Sequence, residues 1–288
     1  MLYKVKLCIK EILKEIQVIS LIFRQKTNDD LYYMSKLAKC CHILDKGCYT
    51  VPFEKNHSIG IYEEAKTYIQ KIKSDEIRND SCYKWCLQRI NNYEKLQTSE
   101  LNSPKYIQTP LYKDSAQYDE FIKSFISVRR FNEKEISNDI IVETIKTAQT
   151  ASSSCFRQTP RCYAIKSKSI INSLSKNIAG LTGFSNGVPL LFCITSDIRT
   201  YDCVDRNLAF IDSSLFAQNL VLSLRAKNIY SVFLNFLQAS KQDVASVKTI
   251  LKIPEYEKII IFIACGYSDF ISEKPVRLDF NKICNILE

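Results

Sequence analysis

Glycine is scarce in this chain, with six in 288 residues, and the scarcity removes a whole set of nucleotide sites. Neither G-x-G-x-x-G nor G-x-x-x-x-G-K-[ST] occurs, so the close backbone approach to phosphates that such loops provide is missing. A Rossmann or P-loop site is therefore not expected. Histidine is almost absent too: His42 and His57 are the two, both in the N-terminal part. With no G-x-S-x-G elbow, a Ser-His-Asp hydrolase is not expected. The twelve cysteines contain no C-x-x-C and are irregularly spaced, which argues against a zinc site. No apolar stretch approaches the roughly 20 residues of a membrane-spanning helix. The first residues alternate lysine with apolar positions and lack the unbroken apolar region of a signal peptide. These absences lead us to expect a cytoplasmic protein with reduced thiols, no metal and little acid–base machinery of its own. Chemistry would then come from a bound cofactor.

What is present is ordinary for a globular protein: 46% hydrophobic and 25% charged residues, enough to bury a sizeable core. The net charge of +9 is spread along the chain without a run of like charges. Such a balance favours anionic ligands such as phosphates. Without a zinc finger, RNP motif or basic arm, it does not point to nucleic acid.

The first hundred residues read as helices. Leu2, Val5, Ile9, Ile12, Leu13, Ile16, Ile19 and Phe23 share one helical face opposite lysines, a stripe suited to a neighbouring helix or, less well, to a membrane surface. Further helices are expected from Asp30 to Leu44 with Gly47 as stop signal, Ile59 to Ile72, and Cys82 to Leu96. The polar stretch from Gln97 to Pro110 reads as a linker, dividing the chain into residues 1–110 and 111–288. Beyond it helix and strand are mixed. A helix capped by Ser137 or Asn138 runs to about Thr150, and a long one spans Arg206 to Lys227. Strands are expected at Cys162 to Ile165, Val188 to Thr195, Tyr230 to Leu234 and Lys258 to Cys265, a pattern implying a sheet covered by helices.

Two polar segments bracket the Ser137 helix. Ser127 to Phe131 (SVRRF) offers a hydroxyl and two guanidiniums, suited to a phosphate. Ala151 to Pro160 (ASSSCFRQTP) offers hydroxyls and an amide, suited to the polar edge of a planar ring. From about Tyr118 onward the chain resembles the flavin-dependent nitroreductase family. The R-x-S-x-R-x-F motif is matched by Ser127, Arg129 and Phe131, and P-S-x-x-N-x-Q-P by Ser153 and Gln158. The Asn207 to Leu224 helix is similar to that family's central dimer helix, and Ile229 to Phe236 to the strand along the flavin. Ile253-Pro254-Glu255, Gly266 and Arg277 follow in order. His42 to Gly47 (HILDKG), with Arg206 to Asp212 and Leu234-Asn235, resembles a subgroup associated with polysaccharide biosynthesis.

The resemblance implies an α+β, three-layer α/β/α sandwich with a helical N-terminal extension. It further implies a homodimer with FMN at the interface, NAD(P)H as co-substrate and a small electron-poor acceptor. Arg129 with Ser127 would hold the FMN phosphate or ribityl chain, with Arg277 as a second phosphate contact. Ser153 and Ser154 would reach the flavin across the dimer, with Gln158 supporting their loop. Backbone amides at Leu234 and Asn235 would face the ring. The chain departs from the motifs at Phe125 (Arg in the family), Ser152 (Pro), Phe156 (Asn) and Thr159 (Pro). Phe156 stacking on the flavin ring, or filling its place, are both open at this level. So is a flavin-deficient homologue that serves as a dimeric binding or assembly module.

Overall fold

The computed structural model describes residues 9, 12–13, 15–22, 29–49, 54–98, 113–270 and 273–287. Leu2, Val5, Phe23 and most of the Gln97 to Pro110 stretch lie outside the described residues. Residues 15–22 are helical, and Val18, Leu21 and Ile22 pack against Ile198, Tyr201 and Ala209. Ile9, Ile12, Leu13 and Ile16 remain exposed.

Helix α1 (Asp30–Cys48) begins at an Asp29 cap that accepts the Tyr32 N–H at 2.8 Å, satisfying one of the free donors of the first turn. Met34, Leu37, Cys41, Leu44 and Cys48 recur at helical spacing on its buried face. The helix runs through Gly47 rather than stopping before it, which corrects the expected stop signal. Gly47 is there for room: a Cβ would lie 1.9 Å from the His57 ring. Helices α2 (Ile59–Lys71), α3 (Asp75–Asn79) and α4 (Ser81–Gln97) complete this unit. Ser74 and Asp80 cap α3 and α4. Tyr83, Cys86, Ile90, Tyr93 and Leu96 of α4 fill the core against α1. Each fully buried aliphatic side chain of this kind is worth about 1.5–3 kcal/mol.

The remainder is built on a four-stranded antiparallel sheet, order β1-β2-β4-β3. Its strands are β1 (Pro160–Ile165), β2 (Leu190–Asp197), β3 (Tyr230–Asn235) and β4 (Glu257–Gly266). Every residue of β2 is buried, as its unbroken apolar run foretold. The pleat splits it: Leu191 and Cys193 face a layer formed by α7 (Lys168–Leu174), α9 (Lys241–Leu251) and Ile178. Leu190, Phe192 and Ile194 face α6 (Asn138–Ala148) and α8 (Leu208–Ala226). A bulge sits in β4 at Ile260, since Ile194 pairs with Ile261 and Thr195 with Ile259. Ser137 is the cap of α6. Helix α5 (Ser115–Lys123) precedes the segment that leads to the site.

Arg199 ties the N-terminal helices to the sheet. It is 1% exposed and sits over the Tyr256 ring at 3.6 Å. Its guanidinium donates to Asp197 at 2.7 Å and to Asp29, the α1 cap, at 2.6 Å. Burial alone would lower its pKa; the hydrogen bonds to Asp197 and Asp29 more than offset this and leave it raised.

Candidate functional site

The first predicted segment lies along the outer edge of β3. Ser127 pairs with Ser231 in parallel, and the Val128 N–H donates to the Ser231 carbonyl at 3.1 Å. Extended backbone makes side chains alternate: Ile126 and Val128 are buried, while Ser127 and Arg129 point outward side by side. Arg130 instead stacks over the Phe270 ring at 3.6 Å. The turn after it is fixed where Ser268 Oγ donates to the Arg130 carbonyl at 2.7 Å and Asn132 N–H to the Tyr267 carbonyl at 2.8 Å. Gly266 allows this approach, because a Cβ there would fall 2.9 Å from Phe131 and 2.6 Å from Pro189. Phe125 packs on the apolar layer beneath α8, so the position where the resemblance expects an arginine serves the core.

The second segment is a strained loop between α6 and β1. Cys155, Phe156 and Gln158 all have left-handed φ, 50°, 55° and 51°, a conformation costing a non-glycine residue roughly 1–2 kcal/mol. Polar anchors hold it. Ser154 donates through both N–H (2.9 Å) and Oγ (2.7 Å) to one oxygen of Asp212. The other oxygen of Asp212 accepts from Tyr201 at 2.8 Å. Tyr201 in turn shares a 2.5 Å hydrogen bond with Thr159, to which Ser196 donates at 3.1 Å. Burial pushes the Tyr201 phenol pKa up, keeping it a protonated donor. Arg157, only 1% exposed, donates to Asp205 at 2.6 Å and to the Ser154 carbonyl at 3.3 Å. The Gln158 N–H donates to Ser153 Oγ at 3.2 Å.

Phe156 points out of this network into the core of the N-terminal helices. Its ring centroid lies 4.8 Å from that of Trp85 and 6.5 Å, stacked, from that of His42. The Gln158 side chain follows the same direction, donating to Cys82 Sγ at 3.0 Å.

Between loop and α8 is a small cavity of about 90 Å³, lined among others by Ser152, Ser153, Gln158, Arg161, Asp212 and Phe216. At about 30 Å³ per water it has room for a few waters or the polar edge of a ligand. Arg161 donates through Nη1 to the Gln158 and Pro160 carbonyls at 2.9 Å each, while its Nη2 is buried with no partner. A larger cleft of about 640 Å³, between residues 15–21, Phe210 and α9, is lined by Phe236 and Glu255 of the family-like segments but by none of the expected flavin contacts.

The remaining predicted residues are dispersed. Leu234 is buried near the end of β3, in contact range of a Cβ at Gly180. Asn235 is exposed and its Oδ1 accepts the Leu237 N–H at 2.9 Å. Arg277 lies in the exposed tail 273–287, donating to the Pro275 carbonyl at 3.4 Å. The sequence reading missed Arg157, Arg161, Tyr201 and Asp205. Asp212 carried a usable signal, a lone carboxylate on the otherwise apolar buried face of a helix.

Among the described residues no group of three or more His, Cys, Asp or Glu is arranged to hold a metal ion. The described thiols are unpaired, and burial pushes Cys40 and Cys162 up to about 12, so these two are not nucleophiles near neutral pH. No helix among the described residues is long and apolar enough to cross a membrane.

The fold is nitroreductase-like, of the α+β class. Residues 182–267 match the sequence model of the nitroreductase family, a span that holds β2, α8, β3 and β4 but neither polar segment. Solved structures share the fold. A nitroreductase-like protein from Streptococcus mutans superposes with a TM-score of 0.54 at 22% identity, covering 60% of this chain and 98% of that one. An FMN-dependent nitroreductase from Clostridium difficile gives 0.51 at 22% identity, covering 57% and 96%. An NADPH-dependent oxidoreductase from Staphylococcus aureus is 27% identical over 161 residues, half of this chain. The chain spans 62% of the length of that relative.

Proposed function

We propose that this protein is a member of the nitroreductase family acting as a homodimeric, FMN-dependent NAD(P)H oxidoreductase, with residues 111–288 as the flavin-binding unit and 1–110 as a helical extension. The observation that carries the reading is the paired outward exposure of Ser127 and Arg129 beside β3. A hydroxyl and a guanidinium two residues apart on one face of an extended segment fit a phosphate or ribityl chain. Bound FMN would supply hydride transfer at N5, from NAD(P)H to a small electron-poor acceptor.

The chain's own groups divide the remaining work. On this reading Arg277 would add a second cation for the phosphate, and the backbone amides at Leu234 and Asn235 would serve the ring. Ser154 already spends its proton on Asp212, so Ser153, whose Oγ accepts from Gln158 and keeps its own proton to donate, is the better flavin contact of the two. The buried Arg161 Nη2 offers one more donor to the same cavity. Dimerisation is supported by Ile211 and Leu215, exposed one turn apart on α8, and by the tail, where Val276 is 95% exposed and Leu278, Phe280, Ile283, Ile286 and Leu287 are exposed as well. Apolar surface of that extent marks an interface. The unpaired described thiols support a cytoplasmic setting, and the His42 to Gly47 segment supports the polysaccharide-associated subgroup.

One finding favours a second reading, a flavin-deficient homologue that serves as a dimeric binding module. Phe125 and Phe156, at two positions where the resemblance expects flavin ligands, both serve packing. Purified protein decides between them. The oxidoreductase is yellow or becomes so with FMN, and NADH or NADPH bleaches it; a colourless protein that takes up no FMN at tens of micromolar leaves the binding module.

A further inference from the structure

Phe156 occupies the junction of two networks. On one side the loop is fastened to α8 and the turn before it by Ser154–Asp212 and Arg157–Asp205. On the other side the ring is held by Trp85 and His42, with Gln158 on Cys82 beside it. The left-handed backbone at Cys155 and Phe156 carries the chain away from the cavity and toward the helices. Such φ values persist only where the surroundings hold them, and the seat of Phe156 adds to the polar anchors of a loop whose Ser153 and Gln158 line the cavity.

We propose that Phe156 is a positioning residue through which the N-terminal helices hold the flavin-facing loop, so that cofactor affinity depends on packing outside the cofactor site. The inference rests on the flavin reading above. It gives the helical extension a role in the chemistry of residues 111–288. It also explains why an aromatic ring stands where the motif has an amide: the loop has exchanged a polar contact for an anchor. By linkage, whatever loosens the ring's seat weakens the cofactor, and bound cofactor steadies the seat.

The test uses the full chain with Phe156→Ala, Phe156→Tyr and His42→Ala. The first readout is the labelling rate of Cys155, the partly exposed thiol next to Phe156, located by peptide mass in flavin-free protein. The second is FMN affinity from flavin fluorescence. Phe156→Ala is expected to raise Cys155 labelling and weaken FMN by about tenfold or more, the usual scale for an unfastened binding loop. Phe156→Tyr should restore both. His42→Ala, which removes one side of the seat without touching the loop, should shift both in the same direction by about threefold, and it keeps the test open if Phe156→Ala does not fold. Unchanged Cys155 labelling in Phe156→Ala, or in His42→Ala where the former does not fold, overturns the proposal, and so does FMN binding equal to wild type. Absence of FMN uptake by the wild type instead overturns the flavin reading, and this proposal with it.

Discussion

Ser154 donates two hydrogen bonds to a single carboxylate oxygen of Asp212, 58 residues away, through its backbone N–H and its hydroxyl. The other oxygen is taken by Tyr201, so a carboxylate buried in an apolar helix is satisfied by three donors. Asp212→Ala should destabilise the protein by about 3 kcal/mol, because three donors lose a charged acceptor. Tyr201→Phe should cost about 1–2 kcal/mol. The double variant should fall short of the sum, since both act on one network. Urea unfolding of the four proteins measures the coupling, and strict additivity would show that Tyr201 and Asp212 act separately.

Arg129→Ala should weaken FMN binding about ten- to a hundredfold, the scale of one charge-assisted hydrogen bond. Arg130→Ala should change it far less, because that guanidinium is engaged with Phe270. Equilibrium titration with FMN checks the contrast; equal losses in both variants would point to a general charge effect.

Gly47→Ala should destabilise the N-terminal helices by about 1–3 kcal/mol through overpacking against the His57 ring. In a His57→Ala background the same change should be close to neutral. Thermal unfolding of the three variants tests this, and a Gly47→Ala cost that persists without the ring would assign it to the helix backbone.

Asp243 closes the capping box of α9, accepting from Ser240 and from Asn177. Hydrogen bonds from Ser240, then Asn177, hold its pKa below the ordinary 3.8. A carboxylate with a lowered folded pKa contributes stability above its unfolded value and loses it as pH falls through the folded one. The contribution is therefore intact at neutral pH and fades below pH 3.8. Wild type should lose more of its thermal stability between pH 5 and strongly acidic buffer than Asp243→Asn does, and parallel losses would remove Asp243 from the acid response.

Much of the fold was legible because its signals are local. The apolar run from Val188 announced β2, and Ser137, three residues before an Ile-Ile pair, announced α6. The alternation that turns Ser127 and Arg129 outward was also within reach, since it depends on neighbouring residues. The destination of Phe156 was not. Its partners His42 and Trp85 belong to helices more than sixty positions earlier in the chain, and nothing in ASSSCFRQTP distinguishes a ring that stacks on a cofactor from one that leaves for another core. Gly47 misled for a related reason: scarcity of side chain reads locally as a helix end, whereas here a ring contributed by His57 required the space.

The buried Arg199 bears on how the molecule comes apart. It answers both to Asp197, two residues before it, and to Asp29 at the start of α1. Detaching the N-terminal helices would leave its guanidinium short of one counter-charge in a low-dielectric setting, and melting the sheet would strip away the other. Neither half can be lost cheaply while the other stays. The helices and the sheet should therefore unfold in a single cooperative transition, for which calorimetric and van't Hoff enthalpies are expected to agree.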